Sequence, residues 1–177
     1  MNDLREWIHA RVPADEDLAV PELANLARAL GQQERFWRRL VRHDPDSRYF
    51  HQLYRDLNLD IWLICWLNAQ DTGYHDHELS SGAVYVVEGE LAEDYLHRDD
   101  DAWIRERTRI RAAGTVFEFD SSEIHGMRHA GGPPATSIHC YSPALWRMGW
   151  YEPGPAGLRR TSITYADEME GAVRPFA

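Results

Sequence analysis

The sequence predicts a mainly β protein, a small barrel of short strands with α-helices packed against its outside. Apolar residues recur at helical spacing as far as residue 44, and after Pro45 the pattern changes to short strand-like runs separated by turn residues. The run Asp60-Ile-Trp-Leu-Ile-Cys-Trp66 is apolar on both faces, which suits a strand covered by a barrel lumen on one side and by helices on the other. A chain of 177 residues has the size of one domain with a single core. We read it as a helical extension over 1–44, a barrel over 45–166 and a loosely ordered tail over 167–177.

In the extension, Leu4, Trp7, Ile8 and Val12 mark a first helix, with Asn2 or Asp3 as its cap and Pro13 as its stop. Leu23, Leu26, Ala27 and Leu30 mark a second, and Gly31 stands where a left-handed residue would end it. Phe36, Trp37, Leu40 and Val41 mark a third, with Arg38, Arg39 and Arg42 on a solvated face. Strands are predicted near 48–55, 60–68, 82–90, 93–97, 103–111, 114–119, 125–129, 135–142, 147–151 and 159–164. Glu88-Gly89, Ala112-Ala-Gly114, Gly131-Gly-Pro-Pro134 and Pro153-Gly-Pro-Ala-Gly157 punctuate them.

Composition narrows the function. With 29 acidic against 19 basic residues the formal net charge is -10, so a nucleic-acid backbone would be repelled and no partner of that kind is expected. No apolar run approaches the ~20 residues that span a bilayer, and the start Met1-Asn-Asp-Leu-Arg-Glu-Trp lacks the layout of a signal peptide. The expected location is cytoplasmic, and the expected assembly a monomer or weak homo-oligomer. Cys65 and Cys140 lie in apolar strands without Cys-x-x-Cys spacing, as buried thiols do.

The stretch from Gly73 to Gly89 contains His75-Asp76-His77 just before a run rich in valine and tyrosine. In an extended chain His75 and His77 would share a face while Asp76 and Glu78 point the other way. Two imidazoles so placed form half a metal site for iron, copper, nickel or zinc, and His125 is the best candidate to complete it. In Ala135-Thr-Ser-Ile-His-Cys-Tyr-Ser-Pro143 the period of two puts Ser137, His139 and Tyr141 in a row, either the polar face of an edge strand or part of a site. No role is assigned to His9, His43, His97 or His129, and Trp66 is read as core packing.

Gly73-x-His75-x-His77, Gly89 and the later His125 resemble the two motifs of the cupin superfamily, small jelly-roll-like β-barrels that hold a metal inside. Many cupins add a glutamate ligand shortly after the histidine pair, where this chain has Ser81 and Gly82. That absence, with Leu63-Ile-Cys-Trp66, Ser80-x-Gly82 and Ser137-Ile-His-Cys-Tyr-Ser-Pro143, resembles the cysteine dioxygenase family of thiol dioxygenases over roughly residues 48–145. The resemblance implies Fe(II) held by His75, His77 and His125, and a Ser137-His139-Tyr141 row beside it. It implies a small thiol carboxylate and O2 as substrates and a sulfinic acid as product. The cysteine that is joined to the tyrosine in animal members has its place at Gly82, so no crosslink is expected. The family's Tyr-x-Arg, whose arginine holds the substrate carboxylate, aligns with Tyr49-Phe50-His51, which leaves Tyr49, His51 and Arg55 as the candidate substrate-binding residues.

The ligand set suits that chemistry. Three neutral imidazoles leave a divalent ion its full charge, which favours an anionic thiolate in the place a carboxylate ligand would otherwise take. A cupin hydrolase or isomerase with another metal, or a non-catalytic cupin that binds a metal or small molecule, would use the same three histidines. The hydrolase or isomerase gives the Ser-His-Tyr row no task, and no recognisable DNA-binding or signalling segment supports a sensor.

Overall fold

The computed structural model describes residues 2–98, 104–154 and 157–166. Three helices come first: α1 (Asn2–His9), α2 (Val20–Gly31) and α3 (Glu34–Trp37), the last running into a 3-10 turn at Arg38–Leu40. The strands are β1 (Tyr49–Arg55), β2 (Asp60–Trp66), β3 (Tyr74–His75), β4 (Ser81–Glu88), β5 (Glu90–Arg98), β6 (Ile104–Ala112), β7 (Val116–Phe119), β8 (His125–His129), β9 (Ala135–Ser142), β10 (Arg147–Gly154) and β11 (Gly157–Tyr165). They form two sheets, ordered β1-β2-β9-β4-β7 and β11-β10-β3-β8-β5-β6, with every pairing between them antiparallel. The helices-then-barrel layout matches the sequence expectation, while the tail at 167–177 lies outside the described residues.

Alternation along β2 sets up two cores. Ile61, Leu63 and Cys65 face outward and join Leu23, Leu26 and Leu30 of α2, whereas Trp62 and Trp66 face the lumen with Val84, Phe117, Phe119 and Met127. A fully buried leucine is worth about 1.5–3 kcal/mol, so this helical layer contributes substantially to holding the first sheet. Glu22 helps start α2 by accepting the Ala19 amide at 2.8 Å.

Gly31 corrects one expectation. It lies inside α2 with no left-handed conformation, and the residue beyond the helix, Gln32, is right-handed. Glycine is needed there because a Cβ would sit 2.2 Å from the Tyr85 ring of β4. Gly89 does carry the conformational burden, turning β4 into β5 at φ +69 with Ala135 so close that a side chain would collide. The first-turn positions Asn2 and Asp3, expected as caps, both fall within α1.

Candidate metal centre

His75 and His125 face each other across the β3–β8 pair, which brings two distant parts of the chain into register. The strand ends at His75, and contrary to the extended run expected from the sequence, His77 opens a tight turn closed by the Ser80 amide on the His77 carbonyl at 3.0 Å. Glu78 in that turn is left-handed (φ 53) and points away to pair with Arg147 and Arg160. Asp76 also points away. It accepts the Gly149 amide at 3.0 Å and the Tyr151 hydroxyl at 2.5 Å, which ties the turn to β10.

All three histidines are buried, and their nearest donor atoms lie within 4.8 Å of one another with no carboxylate in the group. Their outer nitrogens set the tautomers. His75 Nδ1–H donates to the Gly73 carbonyl at 3.1 Å, and His125 Nδ1–H donates to Glu93 Oε1 at 3.2 Å, so each presents Nε2 to the shared point. His77 packs against the rings of both Phe119 and Tyr141, and neither of its buried nitrogens has a partner among the described residues. A buried unpaired polar group costs about 1–3 kcal/mol, and a metal bond would remove that cost. Burial, then the neighbouring histidines, holds the His75 and His77 values well below the ordinary range, so both are neutral imidazoles at neutral pH. The residues fit a metal held by three imidazoles.

Glu93 went unnoticed in the sequence, where it is one of many acidic residues. It is buried on β5 and accepts from Arg111 Nε at 2.9 Å and Nη2 at 2.5 Å as well as from His125. Burial alone would raise its value, but the bonds from His125 and Arg111 outweigh that and hold it ionised.

The predicted row is present on β9 with all three side chains buried. Its hydrogen bonds have one consistent direction. Trp66 Nε1–H donates to Ser137 Oγ at 2.9 Å, Ser137 O–H to His139 Nε2 at 2.8 Å, and His139 Nδ1–H to the Tyr141 oxygen at 3.2 Å. Burial pushes His139 down to about 3 and Tyr141 upward, so both stay neutral and Tyr141 keeps its own proton to donate. Trp66 is therefore more than core packing: it anchors the row and stacks on His139. Gly82 pairs directly with Tyr141 across β4 and β9, and the Phe119 ring fills the space where a Cβ would be, 2.3 Å away.

A cavity of about 740 Å³, its open mouth included, lies beside these groups. His75, His125, His139 and Tyr141 reach it, and Phe50, Trp62, Ile64, Met127, Leu145 and Met148 make most of the remaining wall. The three expected substrate-binding residues do not line it. Tyr49 and His51 pair with Cys65 and Leu63, which face the helices. A bulge between Gln52 and Tyr54 then reverses the alternation, so Arg55 leaves their face and is committed to buried Asp60 at 2.6 Å and to the Leu145 carbonyl at 2.7 Å. Arg48 lines the cavity instead, one residue before β1 and in step with Phe50.

Comparison with known proteins agrees with this arrangement. Residues 3–153 match the family described as Cysteine dioxygenase type I. Cysteine dioxygenase type 1 of Danio rerio is 24% identical over 151 residues, covering 81% of this chain and 74% of that protein. The Rattus norvegicus protein of the same name is 23% identical over 181 residues, covering 98% and 89%. The fold is similar to that of a Thermus thermophilus protein, TT1209 (TM-score 0.51, 21% identity, 60% of this chain and 93% of that one). It is also similar to a Klebsiella pneumoniae protein with a double-stranded β-helix domain (TM-score 0.50, 15% identity, 71% and 93%). With the three-histidine site inside a cupin barrel and most of its length matched, this chain belongs to the cysteine dioxygenase type I family.

Proposed function

We propose that this protein is an iron(II)-dependent thiol dioxygenase that adds both atoms of O2 to the sulfur of a small thiol carboxylate, giving a sulfinic acid. The observation that carries the reading is a carboxylate-free group of three buried histidines whose cavity also receives the donor end of the Ser137-His139-Tyr141 row. His75, His77 and His125 would hold the iron. When bound, it supplies a site where the thiolate and O2 meet. The protein's part is to keep that site dry and oriented. Trp66 and Ser137 hold His139, and His139 holds the Tyr141 oxygen so that its remaining proton is free for the cavity. The names of the curated relatives support this reading.

The test is oxygen uptake by iron(II)-loaded protein with L-cysteine, 3-mercaptopropionate and 2-benzyl-3-mercaptopropionate in parallel, with sulfinate identified among the products. Uptake with sulfinate formation is expected from at least one of the three. No uptake with any of them, with iron bound at full occupancy, would overturn the dioxygenase in favour of a hydrolytic or non-catalytic cupin.

A further inference from the structure

The three histidines are not held alike. His75 and His125 each donate from one ring nitrogen to a fixed acceptor, the Gly73 carbonyl and Glu93, whereas neither nitrogen of His77 has a partner among the described residues. A ring that no hydrogen bond orients depends for its aim on its backbone and on the side chains packed against it. His77 also lies beyond the end of β3, in a turn rather than in a strand.

The residues on either side of His77 hold that turn. Asp76 Oδ1 accepts the Glu78 amide at 3.3 Å, so the carboxylate reaches across His77 and closes an Asx turn around it. The same oxygen accepts the Gly149 amide at 3.0 Å, the Asp76 amide donates to the Gly149 carbonyl at 3.0 Å, and Oδ2 takes the Tyr151 hydroxyl at 2.5 Å. A Cβ at residue 149 would lie 3.0 and 3.2 Å from the two carboxylate oxygens, so glycine lets β10 come this close without displacing them. Glu78 has a left-handed backbone (φ 53), which L side chains rarely adopt. Its carboxylate is held by Arg147 Nη2 of β10 at 3.3 Å and by Arg160 Nη1 of β11 at 3.0 Å. Arg160 also lies over the Tyr151 ring at 5.7 Å, so the two halves of the hold meet on one hairpin.

We propose that Asp76 and Glu78 are positioning residues for the metal, acting through His77, and that the β10–β11 hairpin fixes them through Gly149, Tyr151, Arg147 and Arg160. This role rests on the three-histidine site of the dioxygenase reading and not on the reaction itself. Loosening the hairpin turns His77 away from the point it shares with His75 and His125, and so weakens the metal while the bonds behind those two stay in place.

Cobalt(II) is the probe, because its visible absorption bands report the number and geometry of its ligands. Its affinity is measured by competition with a chelator, the bands of the bound ion are recorded, and thermal unfolding of each metal-free variant is followed alongside. Asp76→Ala should weaken cobalt(II) by about 10- to 100-fold and move the bands toward those of His77→Ala. Glu78→Gly relieves the left-handed backbone but removes both arginine bonds, and should weaken the metal by about 2- to 10-fold. A turn in which backbone comfort alone mattered would instead bind as tightly as wild type or tighter. Tyr151→Phe should act in the same direction as Asp76→Ala and by less. Glu152→Gln, which breaks the exposed Glu152–Arg159 pair of the same hairpin, should leave affinity and bands unchanged.

A folded Asp76→Ala with wild-type affinity and bands would overturn the proposal, as would losses in Asp76→Ala, Tyr151→Phe and Glu78→Gly confined to thermal stability. Should Asp76→Ala fail to fold, Tyr151→Phe and Glu78→Gly decide by the same readouts. Cobalt(II) held equally well by His77→Ala would overturn the three-histidine site and this role with it. Hairpin-dependent cobalt(II) binding in a protein whose iron(II) form takes up no oxygen with any thiol acid would support the role and overturn the dioxygenase reading alone.

Discussion

Replacing Glu93 with glutamine separates a carboxylate that positions a metal ligand from one that only braces the barrel. Glutamine keeps the shape, and its oxygen can still accept from His125, but its amide would face Arg111 where two charge-assisted bonds of 2.5 and 2.9 Å now stand. The side chains are 5% and 19% exposed, so this is a nearly buried pair, and removing one partner costs about 3 kcal/mol, the lower end of the usual range because Arg111 can turn toward water. For a chain of this size that is a fall of about 6–12 °C in Tm of the metal-free protein. Loss of the charge behind His125 should also weaken metal binding by about 10- to 100-fold. The assay is competition for the metal against a chelator, with thermal unfolding measured alongside. Arg111→Met is the control, since it disturbs the same pair but leaves the Glu93 carboxylate on His125. If Glu93→Gln keeps wild-type metal affinity, or loses no more than Arg111→Met does, Glu93 is a structural brace and the positioning argument fails.

Three further outcomes are expected. Tyr141→Phe should retain the metal yet lose turnover by about 100-fold or more, and unchanged turnover would remove Tyr141 from the chemistry. Arg55→Leu should destabilise the fold by about 3 kcal/mol, because buried Asp60 loses its cation. KM for a thiol acid should stay at its wild-type value, and a KM rise in a folded variant would return Arg55 to the substrate site. Gly31→Ala should cost about 1–3 kcal/mol by pressing a methyl onto the Tyr85 ring, measured by denaturant unfolding with site metal affinity as the unaffected reference.

Local pattern carried much of this protein. The helical spacing up to residue 44, the strands after it and the two-faced apolar run of β2 follow from burial periods that a chain displays directly. His75, His77 and His125, and the row of Ser137, His139 and Tyr141, were legible for the same reason: their residue types are informative and their spacing nearly periodic.

What tertiary structure decided was direction and partnership. In β1 the register with β2 turned Tyr49 and His51 toward the helices and left Arg48 and Phe50 on the cavity side, while a bulge after Gln52 moved Arg55 off the face of Tyr49 and His51. No sequence signal marks a bulge there, because it arises from packing two sheets rather than from local propensity. Glu93 behind His125 and Trp66 behind Ser137 are 32 and 71 residues away from their partners in the chain. Such contacts exist only once strands distant in sequence are paired, which is why the sequence by itself pointed to the three histidines and the row, and only the folded barrel determined what orients them.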